Sequence, residues 1–207
     1  MQLTARNIIT LVVLAVACVY AAPTTIERRA TDLQVSLRES QPGTTAWHFA
    51  LVIHAPGKIT DSGTKNTVYH HVIDTESKCL EFQEKDSIRV KTSHISATAT
   101  LIAAKQEKTD EALRDSAVAI FKTVPNSPVT PEGGFPNCLD FAVDAVGKLH
   151  ANGYVSEEDY QQFDDYRTKV AQEVRDKTDK GTVEATGQTY LCTRANKKCT
   201  PSKSGKK

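Results

Sequence analysis

Cys138 follows Asn137 and opens a run in which Cys138, Phe141, Ala142, Ala145, Val146 and Leu149 recur at helical spacing. Asn137 is a natural N-cap for such a helix. The thiol then falls in the first turn, where unpaired backbone N–H groups and the helix dipole favour a thiolate. A cysteine so placed is a candidate nucleophile for acyl transfer from an amide or ester. It needs an imidazole base and a third polar group to orient that base, and these normally lie far away in sequence. His48 is the first candidate base, with His70 or His71 as the orienting group. Adjacent strand residues point to opposite faces, so only one of the latter pair can serve. The competing role for Cys138 is structural, as half of a disulfide or an inert thiol on a buried helical stripe.

Other chemistry is poorly provided for. His48 and His54 share a strand face, but six residues of strand separate them by about 20 Å, too far for one metal ion. Gly133-Gly134 stands alone just before Pro136, so no phosphate-binding glycine loop is present, and no cofactor is expected. Glu157, Glu158, Asp159, Asp164 and Asp165 read as the solvated, dipole-favoured start of a helix before they read as a hydrolytic carboxylate pair.

The elements that must carry these residues divide the chain in two. Leu33, Val35 and Leu37 alternate with polar neighbours, and the segment WHFALVIH, 47–54, places Trp47, Phe49, Leu51 and Ile53 on one face and His48 and His54 on the other. A third strand is expected over 67–74, with short strands at 79–82 and 87–91. The period then changes. Thr109 or Asp110 caps a helix bearing Leu113, Ala117, Ile120 and Phe121, which stops before Pro125. A proline-rich loop leads to the Cys138 helix, which Gly153 ends, and Ser156-Glu157-Glu158-Asp159 opens another with Tyr160, Phe163, Val170 and Val174 on its apolar side. Strands followed by helices predict a single α+β domain over 30–193, a small antiparallel sheet packed against about three helices.

The order WHFALVIH, TVYHHVID, FPNCLDFAVDAVGKL resembles the circularly permuted papain-like superfamily, which includes NlpC-type amidases and lecithin retinol acyltransferase-like proteins. The resemblance spans roughly residues 46–153. It implies a permuted papain-like core in which His48 beside Trp47, His71 (or His70) on the next strand, and Asn137-Cys138 followed by Phe141 make the site. On that pattern Cys138 attacks a carbonyl, His48 moves the proton and His71 holds His48. The spacing from His48 to His71 is longer than the family's short hairpin.

The ends of the chain speak of location. Arg6, an apolar run over 8–20 and Val19-Tyr20-Ala21 read as a secretory signal ending at residue 21, too short for a membrane span of about 20 apolar residues. Arg28-Arg29 marks a short propeptide, 22–29. Loss of Arg6, Arg28, Arg29 and Glu27 takes the 26 basic and 25 acidic side chains to 23 and 24, so no chain-wide attraction to nucleic acid is expected. Residues 194–207 carry six basic side chains and no acid, a flexible tail able to touch an acidic polymer. Four cysteines remain, an even number that fits two disulfides in an oxidising compartment. Cys192 with Cys199 would clasp a C-terminal hairpin, leaving Cys79 with Cys138, in which case the sulfur cannot be a nucleophile. The rival expectation to an enzyme is therefore a non-catalytic, disulfide-stapled secreted interaction protein of the fungal-effector type, acting on an extracellular or host protein.

Overall fold

A computed structural model describes residues 28–74, 79–104, 107–129, 134–186, 190–192 and 199–201, with side chains over 33–74, 79–103, 107–129 and 134–178. The expected signal, most of the expected propeptide and most of the basic tail lie outside the described residues. Strands β1 (Arg28–Ser40), β2 (His48–His54), β3 (Thr64–Ile73), β4 (Leu80–Val90) and β5 (Ile95–Ala104) precede helices α1 (Asp110–Phe121), α2 (Cys138–Ala151) and α3 (Glu157–Thr186). Short strands β6 (Tyr190–Cys192) and β7 (Cys199–Pro201) follow. The five long strands form one antiparallel sheet in the order β4-β3-β2-β1-β5, so the chain has an α+β fold.

Alternation along the strands decides which face the helices cover. Leu33, Val35, Leu37, Phe49, Leu51, Ile53 and Tyr69 enter one core with Leu113, Phe121, Phe141, Leu149, Phe163 and Val174 from all three helices. All three helices therefore pack on one side of the sheet. A fully buried Leu or Phe contributes roughly 1.5–3 kcal/mol through burial, so this layer dominates the stability. The opposite face carries a smaller cluster of Ala50, Val52, Ile59, Val68 and Val90.

The helix boundaries follow their capping residues. Thr109 accepts the Ala112 N–H at 3.1 Å to start α1, and Ser156 accepts the Asp159 N–H at 3.1 Å to start α3. Gly153, at φ +73°, lies just past the end of α2, in the left-handed conformation that glycine adopts without steric cost.

Two strand expectations need correction. Segments 79–82 and 87–91 are one strand, β4, whose polar middle is an irregularity in the pairing with β3 between Asn66 and Val68, with Ser87 at φ +58°. β4 is an edge strand, so exposed Gln83, Glu84, Lys85 and Asp86 do not break it. β5 has no counterpart among the strands expected above. Its inward residues Ala97, Ala99 and Ala103 are small, and only Leu101 among them is a large apolar side chain. Arg28 and Arg29, the expected propeptide boundary, begin β1 opposite Ala104 and Ala103.

Candidate functional site

The entry to α2 is fixed by its own sequence and by α3. The Asn137 side chain accepts the N–H groups of Leu139 at 2.9 Å and Asp140 at 3.3 Å, and the Asp140 carboxylate accepts the Asn137 N–H at 3.0 Å. This reciprocal capping box sets the first turn that holds Cys138. Arg175 of α3 donates to Asp140 Oδ2 at 3.2 Å and to the Phe135 carbonyl at 3.2 Å, tying both sides of the turn to a helix 35 residues onward.

Cys138 Sγ accepts the backbone N–H of Phe49 at 3.4 Å. The reason lies in the sheet. β1 and β2 register over seven pairs, but β2 and β3 register only at Leu51–Tyr69 and Val52–Val68. Beyond that seam the sulfur, at the first turn of α2, takes the Phe49 N–H. It stands beside the backbone that joins Phe49 to His48.

The three candidate histidines separate by strand alternation. His48 and His70 lie with rings 4.8 Å apart, edge to face, and His48 Nε2 and His70 Nδ1 share a hydrogen bond of 2.6 Å. His70, not His71, thus holds His48, which corrects one of the two assignments above. His71 points to the helix side, where it stacks on Phe141 with centroids 4.1 Å apart and planes 20° from parallel. Its two ring nitrogens are buried with no hydrogen-bond partner among the described residues. His54 is accounted for structurally: Ser36 Oγ lies 2.8 Å from its Nε2, and Nδ1 lies 3.0 Å from the Ala55 carbonyl.

A cavity of about 220 Å³ opens at the thiol and is lined by Cys138, Asn137, His48, His71, Trp47 and Thr178 among others. Sequence reasoning gathered His48, His71 and Cys138 into one site, and all three line this space. Trp47 is held there by Glu39, whose Oε2 accepts the indole N–H at 3.3 Å and the Tyr166 hydroxyl at 2.7 Å.

Burial sets the charge state. Desolvation pushes the Cys138 thiol up to about 11, and the N–H groups of Phe49, Cys138 and Leu139 only partly oppose it. This corrects the expectation of a thiolate stabilised by the helix start, because the same packing that shapes the turn removes water from the sulfur. Burial, then His70, Arg38 and Lys85, lower His48 to about 3. Burial, then Lys85 and Arg38, lower His70 to about 4, and burial with His70 lowers His71 to about 4. At neutral pH the thiol and all three imidazoles are uncharged.

Cys138 is a free cysteine, so the alternative bridge from Cys79 to Cys138 is absent. Cys79 is disulfide-bonded. In the backbone Cys192 stands opposite Cys199; the expected bridge between them falls outside the described side chains, and a Cys79 disulfide to either cysteine excludes it. Among the described residues no group of three His, Cys, Asp or Glu could hold a metal ion, and no helix is long and apolar enough to cross a membrane. Trp47 was legible beside His48, but its anchor Glu39, the Arg175 clamp and the lining residue Thr178 carried no signal, since each acts through long-range packing. Comparison with protein-family models, with curated proteins and with solved structures gave no match.

Proposed function

We propose that the protein is a small secreted cysteine hydrolase or acyl-transfer enzyme, on a permuted papain-like core, acting on an amide or ester. One observation carries the reading: the free Cys138 thiol shares a cavity with His48, whose imidazole is held by His70 at 2.6 Å. Nucleophile, base and orienting group are the three parts that acyl transfer requires.

In the proposed reaction Cys138 Sγ forms a bond to the carbonyl carbon as its proton passes to His48, and the carbonyl π pair moves onto oxygen. The Cys138 backbone N–H, in the first turn of α2, is the donor for that oxyanion, while the Phe49 N–H stays on the sulfur and the Leu139 N–H on the Asn137 cap. Collapse breaks the bond to the amine or alcohol, which leaves with the proton from His48. Water or another acceptor then releases the acyl group from sulfur by the reverse sequence. Thiol and imidazole are neutral at rest, so the proton moves during attack. The transfer creates both charges together, and their attraction in a dry site offsets part of the cost of ionising either alone. No cofactor is needed for these steps.

The apolar run over 8–20 and the small-residue site at 19–21 support secretion, and the basic tail supports contact with an acidic polymer outside the cell. A second reading, a non-catalytic disulfide-stapled interaction protein acting on an extracellular or host protein, draws on a different observation. Cys79 is disulfide-bonded while the thiol at Cys138 is held protonated by burial. Steady hydrolysis of p-nitrophenyl acetate by the wild-type chain, lost in both Cys138→Ala and His48→Ala with unchanged circular dichroism, is the expected result. Turnover retained in either folded variant overturns the enzyme reading in favour of the second.

A further inference from the structure

Among the described residues His71 is one of the most completely buried side chains, 1% exposed, yet both its ring nitrogens lack a hydrogen-bond partner there. Buried polar groups are nearly always satisfied, and leaving two orphaned atoms on one ring is costly. Phe141 covers one face of the ring, so the nitrogens at its edge are the atoms left for a ligand. The ring also belongs to two cavities. It lines the space of about 220 Å³ at Cys138 and a second of about 390 Å³ formed with Val124, Pro125, Ser127, Phe141 and Asp144.

Building on the proposed cysteine chemistry, we infer that His71 is a substrate-binding residue. It hydrogen-bonds a substrate running from the Cys138 cavity into the neighbouring one, and it selects a secondary amide over an ester. The reason is complementarity. A neutral imidazole offers one N–H donor and one acceptor nitrogen. A secondary amide presents an N–H to that acceptor nitrogen while its carbonyl points the other way, toward the oxyanion donor, whereas an ester has no N–H and leaves the imidazole's acceptor unpaired. Sites built to bond a polar substrate group discriminate strongly against an analogue lacking it, because the buried protein group is then stranded. His48 is already engaged by His70, so the two histidines hold separate roles.

The test uses a matched pair of probes, N-acetylalanine p-nitroanilide and N-acetylalanine p-nitrophenyl ester, which differ at the scissile bond only by N–H against O. The intact secreted chain, His71→Phe and His71→Gln are compared by kcat and KM. The expected result is a loss of about 30-fold or more in kcat/KM on the anilide for His71→Phe, with a severalfold smaller loss on the ester. Restoration of much of the anilide preference by His71→Gln, whose side-chain amide again supplies one donor and one acceptor, completes the expectation. Melting temperatures identify variants that fail to fold. On the wild-type chain, an N-methylated anilide, lacking the donor, should be cleaved at least tenfold less well. Equal losses on both probes, or an N-methylated anilide cleaved as well as its parent, overturn the assignment of His71. Full turnover in Cys138→Ala instead overturns the cysteine chemistry beneath it, and the assignment falls with that reading.

Discussion

Alkylation of Cys138 by iodoacetamide should rise about tenfold per pH unit from 7 to 10 without levelling off, because only the thiolate reacts and burial holds this thiol near 11. The magnitude can be worked out. At pH 8 a thiol of that pKa is about 0.1% ionised, whereas an ordinary cysteine near 8.5 is roughly a quarter ionised, a deficit of about 240-fold. A more basic thiolate is intrinsically more nucleophilic, and with a Brønsted coefficient of about 0.45 the difference of about 2.5 units returns some 13-fold. The net expectation is a rate about 20-fold below that of an unperturbed cysteine in a short peptide at pH 8, before any hindrance from the cavity walls is counted. Timed quenching, digestion without reduction and mass mapping of the peptide bearing Cys138 give the rate directly. A plateau with a midpoint below pH 8 refutes the reasoning, since it means the sulfur already yields its proton to a neighbouring imidazole at rest.

Three further outcomes follow from the same geometry. His48, His70 and His71 have folded pKa values depressed below the unfolded value, so the stability they confer is complete above about pH 6.5 and is lost as pH falls toward 4; with all three titrating, the fall is at most about 4 kcal/mol per pH unit, and urea melts that do not change between pH 7 and 5 would falsify it. Phe141→Ala removes a fully buried ring and the stacking partner of His71, and should cost about 3–5 kcal/mol in denaturant unfolding; a loss under 1 kcal/mol contradicts the packing described. Without reductant, Cys79 should resist alkylation while Cys138 is labelled, and reduction should lower stability by about 2–5 kcal/mol; Cys79 labelled in the native, unreduced chain removes the disulfide from the account.

Where local chemistry decides the structure, the residues disclosed it. Asn137, Thr109 and Ser156 announce helix starts because a capping side chain acts within its own turn, and all three caps are made. Alternation in 47–54 announces which side chains of β2 meet the helices for the same reason, but not that the opposite face is buried as well. What stayed hidden depends on distance. An alanine-rich β5 reads as a strand only once α3 lies against it, and the choice of His70 over His71 turns on which face of β3 meets His48, a matter of register between strands. The charge on Cys138 is the plainest case: the helix start visible in sequence favours a thiolate, whereas the burial that wins comes from β2, β3 and α3 together.

The bond from the Phe49 amide to Cys138 Sγ makes that single backbone proton a gauge of what the sulfur carries. A thioester sulfur, its lone pair drawn toward the carbonyl, is a poorer acceptor than a thiol, so acyl transfer to and from Cys138 changes how tightly one amide of the sheet is held. Its exchange with deuterated solvent, or its proton chemical shift, would then follow acyl loading and release in the intact protein without any chromophore, and would do so from the scaffold side of the cavity.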